Sequence, residues 1–532
     1  MASPSLRLQG VGCKGRVSAF LGRLLPALKR SHLAVCVGEL HFRLAENLCF
    51  FIPGVQRNYG MIQPFNLLEK AVTNSPNSIG MVSESRAYTF SEMLNLSQAL
   101  AAKFRAQGVR PNEVVSTFLP PDLDWLGTLG IFHEAAVPVS LWGVGSVKNL
   151  NVSWFVGSKF HDSVPRQQTI VLDGNSWQSY AADLPGHPRT LFARPDKPMR
   201  YVMTSGTTGA PKAVTFTGGN IQARLAQLGS YWADSRPELN FMGLSTTGGF
   251  FTALASLEHG YPYMAEVAVN RSAIERAKEY EIKVIAGSPA QIGQALKLIR
   301  EDKLQLPSLL EVRIAGSLPT ERLISAIHND LGVPIRSVYG STEGGGVAVT
   351  MLEPGSDTSD LGELIPGIDL QIETDDAGSG QIKYRGPGVS SGYLDNSVDD
   401  NTFANGWFYP GDRGHISANG HLILEGRTDE IMNVGGTKIV PEKVEEMARN
   451  FEGVTDAAVC LIEQQPGIEE VAIAVVGNSS VDLRALDKLL RARLPIGHPT
   501  IFTRSQQIPR NRMGKIVRDE LKRQILSDLK LS

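Results

Sequence analysis

Cysteine is scarce in this chain: four in 532 residues, at Cys13, Cys36, Cys49 and Cys460. None sits at Cys-x-x-Cys spacing, so the common zinc frameworks are absent and a reducing compartment is expected. No run of about 20 apolar residues occurs, so no transmembrane helix is expected. Neither sign of charge is in excess. Lysine plus arginine is 52 and aspartate plus glutamate is 54, a formal net charge of −2. Nucleic acid and anionic membranes are therefore not expected partners. Internal repeats and low-complexity tracts are also missing.

What remains is the composition of a globular protein with a sizeable core, 42% hydrophobic and 20% charged. The length exceeds a typical domain of roughly 100–200 residues, so a large body plus a smaller domain is expected. The first acidic residue is Glu39, preceded by Arg7, Lys14, Arg16, Arg23, Lys29 and Arg30. An acid-poor, arginine-containing leader is the pattern of an organelle transit peptide; a disordered extension or a misplaced start are the plainer readings. Residues 1–60 are set apart as this extension. The expected compartment is the cytoplasm, with an organelle matrix as the alternative.

From Met61 onward apolar strands alternate with helical patterns, which predicts an α/β fold with parallel layering. A helix is expected after Tyr88-Thr89-Phe90, with Ser91 as its N-cap and Gly108 as its stop. Strands are expected at 113–119, 137–139, 283–286, 311–315 and 334–339, and a helix at 125–136. From Gly362 to Leu424 the chain turns short-stranded and glycine-rich, a small β-subdomain. After Arg427 come a helix at 441–451, strands at 457–462 and 471–476, and a helix at 483–494. That is a small α+β C-terminal domain, residues 428–532, following a large multi-lobed domain, residues 61–427.

Tyr201-Val202-Met203 runs into Thr204-Ser205-Gly206-Thr207-Thr208-Gly209-Ala210-Pro211-Lys212, and Ala213 to Phe216 resumes as strand. Four hydroxyls, two glycines and a lysine in nine residues suit a polyphosphate. The glycines let backbone N–H groups approach an anion, the hydroxyls donate, and the lysine brings charge. It is not the Walker loop, since Pro211 follows Gly206 at five residues and no helix pattern begins there. The plain alternative is a polar hairpin turn. Four more segments stand out: Tyr339-Gly340-Ser341-Thr342-Glu343 at a strand end, Tyr409-Pro410-Gly411-Asp412, Gly426-Arg427-Thr428-Asp429-Glu430 between the two domains, and Pro509-Arg510-Asn511-Arg512-Met513-Gly514-Lys515 near the C-terminus. Alone, a solvated turn is the favoured reading of the Glu343 and Lys515 segments and an equal one for Asp412. A glutamate at a strand end also suits Mg²⁺, which favours oxygen ligands and phosphate partners, and an aspartate placed like Asp412 suits ribose hydroxyls.

Taken together and in this order, the segments resemble the adenylate-forming superfamily: acyl-CoA synthetases, aryl-CoA ligases, nonribosomal peptide adenylation domains and firefly luciferase. The resemblance runs from about Met61 to Leu526 and is greatest to a stand-alone acyl-CoA synthetase. It implies ATP- and Mg²⁺-dependent activation of a small carboxylic acid to an acyl-adenylate, then transfer to a thiol, coenzyme A or the pantetheine of a separate acyl carrier protein. It also implies roles. Thr204, Ser205, Gly206, Thr207, Thr208 and Lys212 form the phosphate loop; Gly316 and Tyr339 flank adenine; Asp412 and Arg427 take ribose. Thr342 contacts phosphate, Glu343 holds Mg²⁺, Asp429 is the hinge of a mobile small domain, and Lys515 enters the site for adenylation.

The sequence departs from the family where relatives carry a histidine or aromatic residue before the acyl pocket. Here Gly243-Leu244-Ser245-Thr246-Thr247-Gly248-Gly249-Phe250-Phe251 puts Phe250 or Phe251 in that place. No aspartate is present there to pair with a substrate ammonium, which argues against an α-amino acid. Phe250, Phe251 and the small residues around Gly345 are expected to shape a pocket for an apolar or aromatic acyl group. Outside the class, Gly388-Val389-Ser390-Ser391-Gly392 fits the Gly-x-Ser-x-Gly hydrolase pattern with His415 and His421 downstream, but lacks the strand-then-helix setting of a nucleophile elbow.

Overall fold

A computed structural model describes residues 63–531, apart from 142–149, 151, 162–163, 173–195, 205–211, 233–235, 267, 375–379, 395–401, 428–431, 435–436, 466–467, 494–500 and 512–513. The chain divides into Met1–Gly60, where the leader lies outside the described residues, and Met61–Ser532. Among the described residues no helix is long and apolar enough to cross a membrane.

Four strands, Val137–Ser140, Val114–Phe118, Trp154–Gly157 and Thr169–Val171, form a wholly parallel sheet in that spatial order. The helices beside it follow from local chemistry. Phe90–Gln107 starts on a reciprocal capping box, in which the Thr89 hydroxyl accepts from Glu92 N–H and the Glu92 carboxylate accepts from Thr89 N–H. The expected cap, Ser91, is displaced by two residues because only Thr89 has a glutamate at the third position beyond it. Gly108 ends the helix at φ 101°, a left-handed conformation that glycine adopts without a Cβ penalty. Pro121–His133 is buried on every side from Leu123 to His133, the pattern of a helix sandwiched in a core. It starts four residues before the expected Trp125, because Pro121 is tolerated in a first turn. At Gly130 a Cβ would stand 2.9 Å from the Ser97 carbonyl, so the two helices touch backbone to backbone there.

The second large sheet has six strands in the order Glu363–Leu364, Gly345–Leu352, Ile335–Ser341, Glu311–Ala315, Val284–Gly287 and Glu238–Asn240. The last four run parallel, and Gly345–Leu352 returns antiparallel after a tight turn. A three-stranded sheet joins Ile79–Val82 to Ala87–Thr89 and, in parallel, to distant Tyr263–Met264. The expected β-subdomain forms from Asp369 to Arg427, with its own core of Ile382, Tyr384, Phe408 and Leu422, while Glu363–Leu364 joins the sheet above.

The C-terminal region packs helices Pro441–Arg449, Leu483–Arg493 and Arg518–Leu531 with the strands Val454–Gln465, Ile468–Gly477 and Ile501–Arg504. Two apolar clusters bury its strands, one built on Val459, Ile473 and Leu486, the other on Cys460, Ala472 and Leu521. Burial pushes the Cys460 thiol up to about 11, which makes it a packing residue rather than a nucleophile.

Candidate functional site

The phosphate-loop segment sits on a two-stranded hairpin, Pro198–Met203 against Ala213–Thr217, in register Met203↔Ala213. The Thr204 N–H donates to the Lys212 carbonyl at 2.8 Å and closes the base of the loop. Ser205, Gly206, Thr207 and Thr208 lie outside the described residues.

One edge of this hairpin is covered by the strip 391–394. Thr215 N–H donates to Gly392 O at 2.8 Å, Ser391 N–H to Thr215 O at 3.2 Å, and Leu394 N–H to Ala213 O at 2.8 Å. Tyr393 is thereby fixed opposite Val214. Its ring centroid lies 5.1 Å from the Lys212 ammonium, and its hydroxyl donates to Glu343 Oε1 at 3.0 Å. Glu343 and Thr342 occupy the turn between Ile335–Ser341 and Gly345–Leu352. The loop lysine and the carboxylate expected to hold Mg²⁺ are thus joined through a tyrosine that sequence reasoning missed. An oxygen ligand of this kind suits Mg²⁺. Among the described residues no cluster of three or more His, Cys, Asp or Glu exists, so a metal at Glu343 would complete its shell with phosphate and water oxygens.

Tyr339, Asp412 and Arg427 also come together. Tyr339 donates its hydroxyl to Asp412 Oδ2. Asp412 and Arg427 are cross-strand partners, with Arg427 Nη1 3.6 Å from Asp412 Oδ1. Burial, then the Asp412 charge, pushes the Tyr339 phenol well above its ordinary value, so it stays protonated and keeps donating. Ala315 pairs with Val338, which puts Gly316 beside Tyr339 at the carboxyl ends of two parallel strands. Gly316 has φ 95°, a left-handed turn that glycine allows. Ligands of open α/β sheets bind at such strand ends.

Lys515 lies in a turn closed by Asn511, whose side chain accepts from Lys515 N–H at 3.0 Å and whose N–H donates to Lys515 O at 2.9 Å. Next to it, Gly514 has φ 77°, and a Cβ there would stand 2.7 Å from the Ala290 Cβ. Ala290 lies in the first turn of helix Pro289–Glu301, after strand Val284–Gly287, which neighbours Glu311–Ala315 in the parallel sheet. The C-terminal turn therefore rests on the same strand ends that carry Gly316 and Tyr339. Asp429 lies outside the described residues.

Two expectations are corrected. Phe250 and Phe251 are core residues, 1% and 4% exposed, rather than open pocket lining. Phe250 packs against Trp125 and Phe132 and lies under the Arg200 guanidinium; Phe251 packs against Phe216. The glycines near Gly345 are small for packing as well: a Cβ on Gly344 would stand 1.9 Å from the Tyr384 hydroxyl, and one on Gly346 2.6 Å from the Tyr231 ring. The hydrolase pattern fails on geometry. Ser390 is buried in a loop and is followed by the strip 391–394, which pairs with the hairpin and is not helical; its N–H donates to Glu343 O at 2.8 Å, and His415 and His421 are paired to Glu425 and Asp360.

A family model for AMP-binding enzymes matches residues 156–394. The chain is 28% identical over 390 residues to an indoleacetate–CoA ligase of Aromatoleum aromaticum, covering 68% of this chain and 75% of that one. It is 26% identical over 475 residues to a 2-succinylbenzoate–CoA ligase of Listeria monocytogenes, covering 86% and 98%. Among solved structures, o-succinylbenzoate CoA synthetase of Bacillus subtilis in complex with its acyl-adenylate matches with TM-score 0.72 at 21% identity, over 86% of this chain and 98% of that chain. An anthranilate CoA ligase in complex with anthranoyl-AMP matches with TM-score 0.76 at 18% identity, over 87% and 97%.

Proposed function

Residues 156–394 match a family model for AMP-binding enzymes, and from that premise we propose that the chain is an AMP-forming acid–thiol ligase that joins a carboxylic acid to AMP and then transfers it to coenzyme A with release of AMP. The observation that carries this reading is that two fixed groups, Lys212–Tyr393–Glu343 and Tyr339–Asp412–Arg427, both meet the segment 339–343 at the end of strand Ile335–Ser341. The first suits phosphates and the second a nucleoside.

The chemistry requires a carboxylate to attack the α-phosphorus of ATP against the repulsion of two anions, with pyrophosphate leaving. Glu343 would hold Mg²⁺, which when bound would neutralise charge on the phosphate oxygens. Thr204, Ser205, Thr207, Thr208 and Lys212 bind the polyphosphate by hydroxyl and ammonium donation, and Thr342 adds a further hydroxyl. Asp412, held by Tyr339 and Arg427, accepts from ribose hydroxyls. Lys515 enters from residues 428–532 and stabilises charge that develops during adenylation. In the second step the small domain turns about Asp429, removing Lys515 and admitting the thiol, whose sulfur bonds to the acyl carbon as AMP leaves.

The substrate class we propose is an aromatic carboxylic acid. Support comes from relatives named for indoleacetate, 2-succinylbenzoate and 4-chlorobenzoate. Cytoplasm is the proposed compartment, in keeping with the low cysteine count.

ATP–pyrophosphate exchange across a panel of aryl, arylalkanoic, fatty and short-chain acids tests the reading. Exchange that depends on an aromatic acid is the expected result, followed by thioester formation with coenzyme A. Exchange with no acid would sink it, and transfer to a holo-carrier protein in place of coenzyme A would reassign the acceptor.

A further inference from the structure

Arg224, on helix Gly218–Tyr231, is 3% exposed. Its three hydrogen bonds all go to backbone carbonyls: Nε to Gly388 at 2.6 Å, and Nη2 to Thr342 at 3.0 Å and Glu343 at 2.6 Å. The guanidinium carbon lies 4.5 Å from the Phe216 ring centroid and 5.7 Å from that of Phe251. No carboxylate hydrogen-bonds it among the described residues. Burial lowers the group to about 10, which leaves it charged at neutral pH.

A guanidinium taken out of water without an acid partner is costly, and carbonyl dipoles and aromatic faces offset only part of that cost. What the arrangement achieves is a reinforced link between two segments that no strand pairing joins and that share one backbone hydrogen bond, Ser390 N–H to Glu343 O at 2.8 Å. Thr342 and Glu343 lie in a turn, where their carbonyls are outside the sheet ladder, and Gly388 lies in a loop. The local glycines make room for the fork. A Cβ on Gly388 would stand 3.0 Å from Arg224 Cγ, and one on Gly345 3.2 Å from Arg224 Nε. From Gly388 the chain runs directly into the 391–394 strip that covers the phosphate-loop hairpin.

We propose that Arg224 is a positioning residue of the nucleotide site, clamping the Thr342–Glu343 backbone to the 388–394 segment and so setting the Glu343 carboxylate relative to the phosphate-loop hairpin for Mg²⁺·ATP. The inference rests on the ligase reading given above. A planar fork reaching carbonyls of two segments is a task for arginine, because the compact ammonium of lysine cannot span both in one plane.

The test compares wild type with Arg224→Lys and Arg224→Met by calorimetric titration with Mg²⁺·ATP, by melting temperature and by steady-state pyrophosphate exchange. Arg224→Lys is expected to stay folded and to bind Mg²⁺·ATP about tenfold more weakly, equivalent to about 1.4 kcal/mol. Its exchange kcat falls and its half-saturating Mg²⁺ rises, while KM for the acid stays within about twofold. A folded Arg224→Lys with wild-type Mg²⁺·ATP affinity and wild-type Mg²⁺ dependence overturns the proposal. So does loss of fold in both variants, which would make Arg224 a structural tie. If the wild type binds Mg²⁺·ATP yet exchanges with no acid, the ligase reading fails, and the calorimetric comparison still decides the role of Arg224.

Discussion

Tyr393 donates its phenolic hydroxyl to Glu343 at 3.0 Å across a junction of segments 50 residues apart in sequence. Its ring is held independently, edge-on to Phe403 at 5.6 Å between centroids. Removing the hydroxyl alone should therefore loosen the carboxylate without disturbing the packing. Tyr393→Phe is expected to raise the half-saturating Mg²⁺ for pyrophosphate exchange by about threefold to tenfold, the worth of one hydrogen bond of ordinary strength. The melting temperature should hold. Glu343→Gln should reduce exchange by roughly 100-fold with no recovery at high Mg²⁺. Equal Mg²⁺ curves for wild type and Tyr393→Phe would show that the phenol does not position the carboxylate.

Gly514 predicts a split between the two half-reactions. Alanine there must hold φ 77° and put a methyl 2.7 Å from Ala290 Cβ. Left-handed backbone alone costs about 1–2 kcal/mol for a residue with a Cβ. Gly514→Ala should slow adenylation about tenfold or more, yet transfer of a supplied acyl-adenylate to coenzyme A should remain within about twofold. Adding Ala290→Gly should restore part of the adenylation rate by removing the steric component. Lys515→Ala should show the same split more strongly, roughly 100-fold. Equal loss of both half-reactions in Lys515→Ala would remove that lysine from its assigned step.

Acid sensitivity should centre on Glu311, which meets Arg336 at 2.5 Å, Arg236 at 2.5 Å and Arg313 at 3.0 Å. Burial pushes this carboxyl up, but the three guanidinium groups outweigh it and hold it at about 2. Its folded value lies below its unfolded one, so the stabilisation is present above the ordinary glutamate range near 4.5 and is lost as pH falls toward about 2. Glu311→Gln should cost about 3 kcal/mol at neutral pH, as expected when one partner leaves a buried ion network. The melting-temperature gap between wild type and variant should then narrow as pH drops below 4.5. A gap that stays constant down to pH 3 or so would rule out this carboxylate as an acid-sensitive support.

Local chemistry made much of this fold readable. The strand at 311–315 and the helix starts at Pro441 and Leu483 fall where apolar pattern and proline placed them. The C-terminal strands run longer than expected, 454–465 and 468–477, because they pair with each other along their whole length beyond the apolar stretch. Tyr339, Asp412 and Arg427 come together through a cross-strand pair and a phenol hydrogen bond, and they were named beforehand through the family resemblance. Arg224 and Tyr393 were not. Both are single residues in unremarkable stretches, and their partners lie 118 to 164 residues away for Arg224 and 50 for Tyr393. Phe250 and Phe251 misled for the opposite reason: an aromatic pair beside glycines reads as a pocket until the core around it is seen.

The parallel pairing of Ile79–Val82 with Tyr263–Met264 has a consequence for synthesis. A chain emerging from the ribosome makes Val82 long before Met264, its partner in that ladder. At about 5–20 residues per second the interval is roughly 10 to 40 s. During that time the Ile79–Val82 strand has Ala87–Thr89 on one edge and nothing of its own chain on the other. Val82, whose core partners include Leu239, Phe241 and Met264, waits uncovered as well. The nascent chain is therefore exposed to edge pairing with other chains until its middle third has been translated, and the protein's yield should respond to chaperone supply more than its finished stability would indicate.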